Sequence, residues 1–140
     1  MFVVDASLFA SIIVKDEFYE RAKRFLFEHL GFDLVTVDLA FIEAANVLWK
    51  HALIHGRIPR NACEGLAVRL GELIRNSCSK IYCACEFLSE ALGRALDFGI
   101  TVYDAVYVVL ALKHNCKIAS FDERLKSKLE EKGLDIICFP

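Results

Sequence analysis

The chain has 140 residues and a mass of 15.8 kDa, enough for one domain with a substantial core. Hydrophobic residues make up 56% of it, so many of its elements are expected to be covered on both faces. No apolar run approaches the roughly 18 residues of a membrane span, and a formal charge of −2 excludes a global attraction to nucleic acid.

The first element is the strand-like run Met1-Phe2-Val3-Val4, closed by Asp5. A secretory signal does not begin this way, so a cytoplasmic placement without membrane attachment is expected. Further strands are expected over about 34–37, 80–83, 117–121 and 135–139, after the first at about 2–5. Helical patterns fill about 7–14, 16–30, 39–55, 60–77, 86–98, 102–114 and 123–132. Gly31, Gly56, Gly99 and Gly133 each follow a helical run, the position that favours a left-handed glycine. Short β-branched runs alternating with longer helices predict a single α/β domain over 1–140. Its form is a three-layer α/β/α sandwich around a central, mainly parallel five-stranded sheet.

Four acids occupy costly places. Asp5 ends the first strand, Asp122 ends Lys117-Ile118-Ala119-Ser120-Phe121, and Glu43 and Asp104 lie inside the most hydrophobic helical stretches. A carboxylate is rarely buried unless it is paired or holds a cation. Ligands of open parallel sheets bind at the carboxyl ends of the strands, where Asp5 and Asp122 both sit. Acids converging there would form an oxygen-rich pocket suited to a hard divalent cation.

Each acid also has a plainer reading. Asp5 and Asp122 suit the N-caps of the helices that follow them, and Thr101 with Asp104 fits a variant of the capping box. Glu43 lies a full turn inside its helix, where Glu43, Asn46 and Lys50 form a narrow polar strip opposite Phe41, Ala45, Leu48 and Ala52. That strip is either a solvent edge or part of a site. Asp38 also ends a strand, but its helix begins at once and it is read as an N-cap. Asp16, Asp33, Asp97 and Asp135 fall in turns or on polar faces and receive no chemical role.

Other chemistries find less support. His51 and His55 have the i, i+4 spacing of zinc ligands, without a third ligand or the glutamate of H-E-x-x-H. Cys63, Cys78, Cys83, Cys85, Cys116 and Cys138 contain no C-x-x-C pair and read mostly as small hydrophobes. There is no phosphate-cradling glycine loop and no nucleophile with a convincing His–acid pair. A phosphoacceptor receiver domain would need an acidic pair after the first strand, where Asp5 is followed by Ala6-Ser7. Arg57, Arg60, Arg69, Arg75 and Lys80 outnumber Glu64 and Glu72 over 56–82, a modest basic surplus that a solvated helical face also explains.

Four segments in order then carry a resemblance: Val3-Val4-Asp5-Ala6-Ser7, Glu43-Ala44-Ala45-Asn46-Val47-Leu48, Val102-Tyr103-Asp104-Ala105-Val106-Tyr107 and Ile118-Ala119-Ser120-Phe121-Asp122-Glu123-Arg124-Leu125. Together they resemble the PIN domain, in particular the small ribonucleases of the VapC toxin type. The resemblance spans essentially the whole chain. It implies a Mg²⁺- or Mn²⁺-dependent endoribonuclease, the toxin of a toxin–antitoxin pair, with Asp5, Glu43, Asp104 and Asp122 as catalytic metal ligands. Ser7, Asn46 and Ser120 would support them. It also implies an RNA substrate, a homodimer and a cognate antitoxin. The alternative is a PIN-like module that binds RNA or protein without significant catalysis. Asp38 departs from the family, whose members more often carry Ser, Thr or Pro there.

Overall fold

The structure is a computed structural model that describes residues 1–30 and 33–140; the glycine expected to end a helix at Gly31 lies outside the described residues. Five strands form one sheet: β1 (Phe2–Val4), β2 (Leu34–Val37), β3 (Lys80–Tyr82), β4 (Lys117–Ala119) and β5 (Ile137–Cys138). Their order is β3-β2-β1-β4-β5 and every pairing is parallel. Seven α-helices connect them among the described residues: α1 (Ala6–Val14), α2 (Tyr19–Glu28), α3 (Leu39–Leu53), α4 (Cys63–Ser77), α5 (Leu88–Phe98), α6 (Val102–His114) and α7 (Glu123–Glu131).

The strand order decides where the helices go. The chain first builds outward from β1 to β2 to β3, then returns to add β4 and β5 on the other side of β1. Right-handed crossovers therefore place α1–α4 on one face and α5–α7 on the other. The interhelical packing follows this division: α1 touches α2, α3 and α4, whereas α5 packs on α6, and α6 lies against β1, β2 and β4. The expected α/β/α sandwich is what forms. The reversal of direction falls between β1 and β4, so the crevice of the sheet opens at their carboxyl ends.

The core explains the high hydrophobic content. Val3, Val4, Leu8, Phe9, Leu34, Val37, Ile74, Val108, Val109, Leu110, Ile118 and Leu129 are fully buried. Helix α6 is buried continuously from Ala105 to Ala111, so its apolar run is consumed by the core. Thr36 is a buried polar residue within this core, and its hydroxyl donates to the carbonyl of Val4 at 2.7 Å, which ties β2 to β1.

Several boundaries differ from expectation for local reasons. The helix expected from 16 begins at Tyr19, because Asp16 accepts from the Phe18 amide at 2.9 Å and holds a turn there. The helix expected over 60–77 is preceded by a separate 3-10 turn, Arg60–Ala62, after Pro59. A second 3-10 turn, Ala84–Phe87, precedes α5. Asp38 stands at the N-cap position of α3 without capping it; its carboxylate instead accepts from the Ala84 amide at 2.9 Å. Gly99 and Gly133 adopt φ of 65° and 76° just past α5 and α7, as their spacing predicts. On α3 the buried stripe runs through Ala40, Ala44 and Leu48, rotated from the face drawn through Phe41, Ala45, Leu48 and Ala52.

Leu110 has no exposed surface and lies mid-helix on the sheet. Leu110→Ala is expected to destabilise the fold by about 2–5 kcal/mol, read as a lower urea midpoint with an unchanged slope.

Candidate active site

Asp5 follows the last residue of β1 and Ser120 follows the last residue of β4. The register Val4↔Ala119 puts them side by side. The Ser120 hydroxyl donates to Asp5 Oδ2 at 2.6 Å, and the Ser7 hydroxyl, in the first turn of α1, donates to the same oxygen at 2.8 Å. Both serines are themselves fixed: Ser120 Oγ accepts from the Asp122 amide and Ser7 Oγ from the Phe121 amide, each at 3.1 Å. The loop after β4 is thus laced to the loop after β1 through two hydroxyls. Asp5 occupies the N-cap position of α1 but its side chain caps nothing, so the capping reading fails for it.

Glu43 approaches from α3 and Asp104 from α6. The Tyr107 hydroxyl donates to Glu43 Oε2 at 2.7 Å, joining a helix from each face of the sheet. Tyr107 is buried, and burial together with the nearby Asp5 and Glu43 charges holds its phenol well above the ordinary value, so it remains a donor. Asp104 keeps its capping role as well. Its amide donates to Thr101 Oγ1 at 3.1 Å, and the Thr101 hydroxyl donates to its carboxylate at 2.7 Å. Asp122 caps α7 by accepting from the Leu125 amide at 2.8 Å. For these two acids the capping reading holds.

Burial raises the pKa of Asp5 despite the two serine hydroxyls, and the charge of Asp104 pushes it further. Burial also raises Glu43, to about 7, against the opposing Tyr107 hydrogen bond and with the help of Asp5 and Asp104. Asp5, Glu43 and Asp104 therefore feel one another's charge. No ion pair among the described residues reaches any of the four acids. Unneutralised carboxylates held by neutral hydroxyls are a donor set that suits a hard divalent cation. Among the described residues, no three acids, histidines or cysteines are yet drawn close enough to enclose one. The donor set fits a divalent cation in its chemistry, and the carboxylates would have to close inward to enclose one.

Asn46 is exposed and shares with Glu43, Leu39, Ile42 and Tyr103 a groove of about 310 Å³. A second hollow of about 500 Å³ borders Ser7 and Asp122 and extends to Ser11, Asp16, Phe18 and Val47. Among the described residues no third candidate ligand is grouped with the histidine pair. The rings of His51 and His55 meet edge to face at 5.4 Å, and burial lowers the pKa of His51, whose Nδ1 is enclosed without a partner. The six cysteines are free thiols. Of the basic residues over 56–82, Arg75 covers the Phe41 ring and Lys80 the Tyr82 ring, so packing absorbs part of that surplus. Tyr107 was not singled out from sequence, although its place three residues after Asp104 puts it on the same helical face.

The electrostatics set a pH dependence. Glu43 has a folded pKa near 7 against an ordinary 4.5, so the folded state binds more protons between those values. Stability is fully present below the unfolded pKa and is lost as pH rises through about 7. In chelator, wild type should lose melting temperature across this window, and Glu43→Gln should flatten the loss. Tyr107→Phe removes a bond that favours the charged carboxylate, so the loss should extend to higher pH. Thermal melts from pH 4 to 9 read all three; parallel curves would refute the assignment.

Comparison with known proteins gives this geometry a context. The PIN domain family model matches residues 2–129. The chain is 38% identical over 126 residues to Ribonuclease VapC3 of Pyrobaculum aerophilum, covering 90% of this chain and 92% of that protein. The crystal structure of PAE2754 from Pyrobaculum aerophilum shares the fold, with a TM-score of 0.66 at 24% identity over 91% of this chain and 84% of that one. The acids and hydroxyls gathered at the reversal of the sheet are therefore set in a chain that belongs to the PIN domain family.

Proposed function

We propose that this chain is a metal-dependent endoribonuclease and the toxin of a toxin–antitoxin pair, working as one domain over residues 1–140. The observation that carries the reading is Asp5, held by two serine hydroxyls at the β1–β4 crevice beside a Tyr107-bound Glu43, with no cationic partner for either among the described residues. The likeness to Ribonuclease VapC3 supports RNA as the substrate.

Asp5, Glu43, Asp104 and Asp122 would hold Mg²⁺ or Mn²⁺. When bound, such a cation lowers the pKa of a coordinated water and offsets charge on the phosphate. The remaining work belongs to the chain. Ser7 and Ser120 fix the orientation of Asp5, and Tyr107 fixes Glu43 and keeps its carboxylate from swinging out to solvent. Asn46, exposed beside Glu43, offers an amide donor to a phosphate oxygen. A recessed acidic pocket admits an extended single strand more readily than a duplex.

The VapC likeness also supports a cognate antitoxin that binds over the acids, where an arginine fork could stand in for the cation. A homodimer fits the surface. The apolar run of α6 is buried, but α5 exposes Leu88, Leu92 and Leu96 at 59%, 50% and 77%, spaced one turn apart. The reading as a binding module without catalysis has less support, because all four acids are present.

Cleavage of single-stranded RNA should require Mg²⁺ or Mn²⁺ and stop in EDTA; activity restored by Zn²⁺ alone would defeat the reading. Asp5→Asn should lose at least about a hundredfold in kcat and Ser120→Ala about ten- to a hundredfold, the scale of lost outer partners of metal ligands. Replacing Leu92 and Leu96 by Glu should leave a monomer in sedimentation at micromolar concentration, and a monomeric wild type would remove the dimer.

A further inference from the structure

We infer that the hollow between the α1–α2 turn and the start of α7 is a nucleobase subsite, and that Asp16 selects guanine in it. The inference rests on the ribonuclease reading above and adds to it the base that lies next to the cut. The hollow holds about 500 Å³, room for a nucleotide, and Ser7 and Asp122 on its lining are also assigned to the acidic site above. A base seated there therefore adjoins a phosphate at the four acids.

The walls suit a flat aromatic ring. Ala10, Val47, Phe18 and Phe121 are apolar. Phe18 stacks on Phe121 at 4.6 Å and 12°, and Phe139 closes the pair edge-on at 5.5 Å from Phe121. The Arg21 guanidinium covers all three rings at 4.9–5.8 Å and holds this wall in place. Phe121 is buried in this stack and Phe18 is partly exposed, so Phe18 is the ring a base would meet, and base–aromatic contact of that kind tolerates any base.

Charge then chooses among the bases. The ionisable residues on the lining itself are Asp16, Asp122 and Glu123, all acidic, with the Arg21 guanidinium behind the aromatic wall, so the polar part of the lining favours a hydrogen-bond donor. Asp16 is aimed before any ligand arrives. Its Oδ1 accepts from the Phe18 amide at 2.9 Å and its Oδ2 from the Ser11 hydroxyl at 3.0 Å. Each oxygen keeps acceptor capacity, since a carboxylate offers about four lone-pair positions. Guanine presents two adjacent donors, N1–H and the N2 amino group, which match a carboxylate's two oxygens. Adenine, cytosine and uracil each set an acceptor beside a donor on that edge.

The test uses single-stranded RNA oligonucleotides that differ at one base near the cut, carrying guanine, hypoxanthine (inosine), adenine, cytosine or uracil. Wild type should cut the guanine substrate with a kcat/KM about tenfold above the inosine one, which lacks a single donor to a charged acceptor. Asp16→Asn keeps an oxygen for the Phe18 amide and a group for Ser11, but turns one acceptor into a donor. Its guanine-to-inosine ratio should fall to about one while its melting temperature stays within a few degrees of wild type. Equal cutting of guanine and inosine substrates by wild type, or an unchanged ratio in Asp16→Asn, overturns the inference. So does an unchanged ratio joined to weaker antitoxin binding, which would make the hollow a protein-docking site. If no oligonucleotide is cut with Mg²⁺ or Mn²⁺, the catalytic reading fails instead. The guanine preference is then read from equilibrium binding of the same oligonucleotides, with the same ratios deciding it.

Discussion

Two serine hydroxyls converge on one oxygen of Asp5 at the seam between β1 and β4, and much of the molecule is arranged around that contact. The seam exists because the chain lays down three strands outward from β1 and then returns to add two on the other side. At such a reversal the two connecting loops part, and the strand ends face an open crevice. Ser7 and Ser120 sew those loops back together through their own amide partners, Phe121 and Asp122. A neutral hydroxyl is suited to this. It orients a carboxylate without cancelling its charge, whereas a lysine or arginine would have left a satisfied ion pair with nothing to offer a cation.

The same choice has a cost. Asp5 and Glu43 are both raised in pKa by burial and by their neighbours' charges, so the apo fold carries repulsion at its crevice. The surrounding structure is built to bear it. Val3 and Val4 before Asp5, Ile118 and Ala119 before Ser120, and the whole of α6 from Ala105 to Ala111 are buried. Helices from opposite faces meet in the Tyr107–Glu43 bond, which makes the site a joint between the two layers. A ligand that neutralises the pocket would add its binding energy to the fold.

Much of this was legible in the residues. Strand β2 falls on its expected bounds because Leu34-Val35-Thr36-Val37 is apolar and flanked by turn residues. The Thr101–Asp104 reciprocal cap and the Asp122 cap follow from local spacing, since all three bonds span three residues. What spacing does not show is a bond across the fold. Glu43 finds Tyr107 64 residues away, and Asp38 forgoes its own helix for Ala84, 46 residues away. Asp38 has the residue type of a cap, yet the parallel pairing of β2 with β3 brings the Ala84 amide within its reach. Asp16 likewise reads as a turn residue and is one; that it also borders the crevice depends on where α1 and α7 come to rest.

Those long-range bonds separate two kinds among the four acids. Asp104 and Asp122 are held by their own helices, through bonds formed as soon as α6 and α7 fold. Asp5 and Glu43 are held by side chains from other segments, Ser120 and Tyr107, and come into position when the sheet closes and the two layers dock. The first pair sits at helix N-termini, where the macrodipole favours negative charge. The second pair carries the burial, the raised pKa values and the tertiary supports, and so is the pair whose protonation is tied to the integrity of the fold. Two of the four acids are thus oriented independently of tertiary docking. The other two depend on it, so only the folded chain orients all four carboxylates.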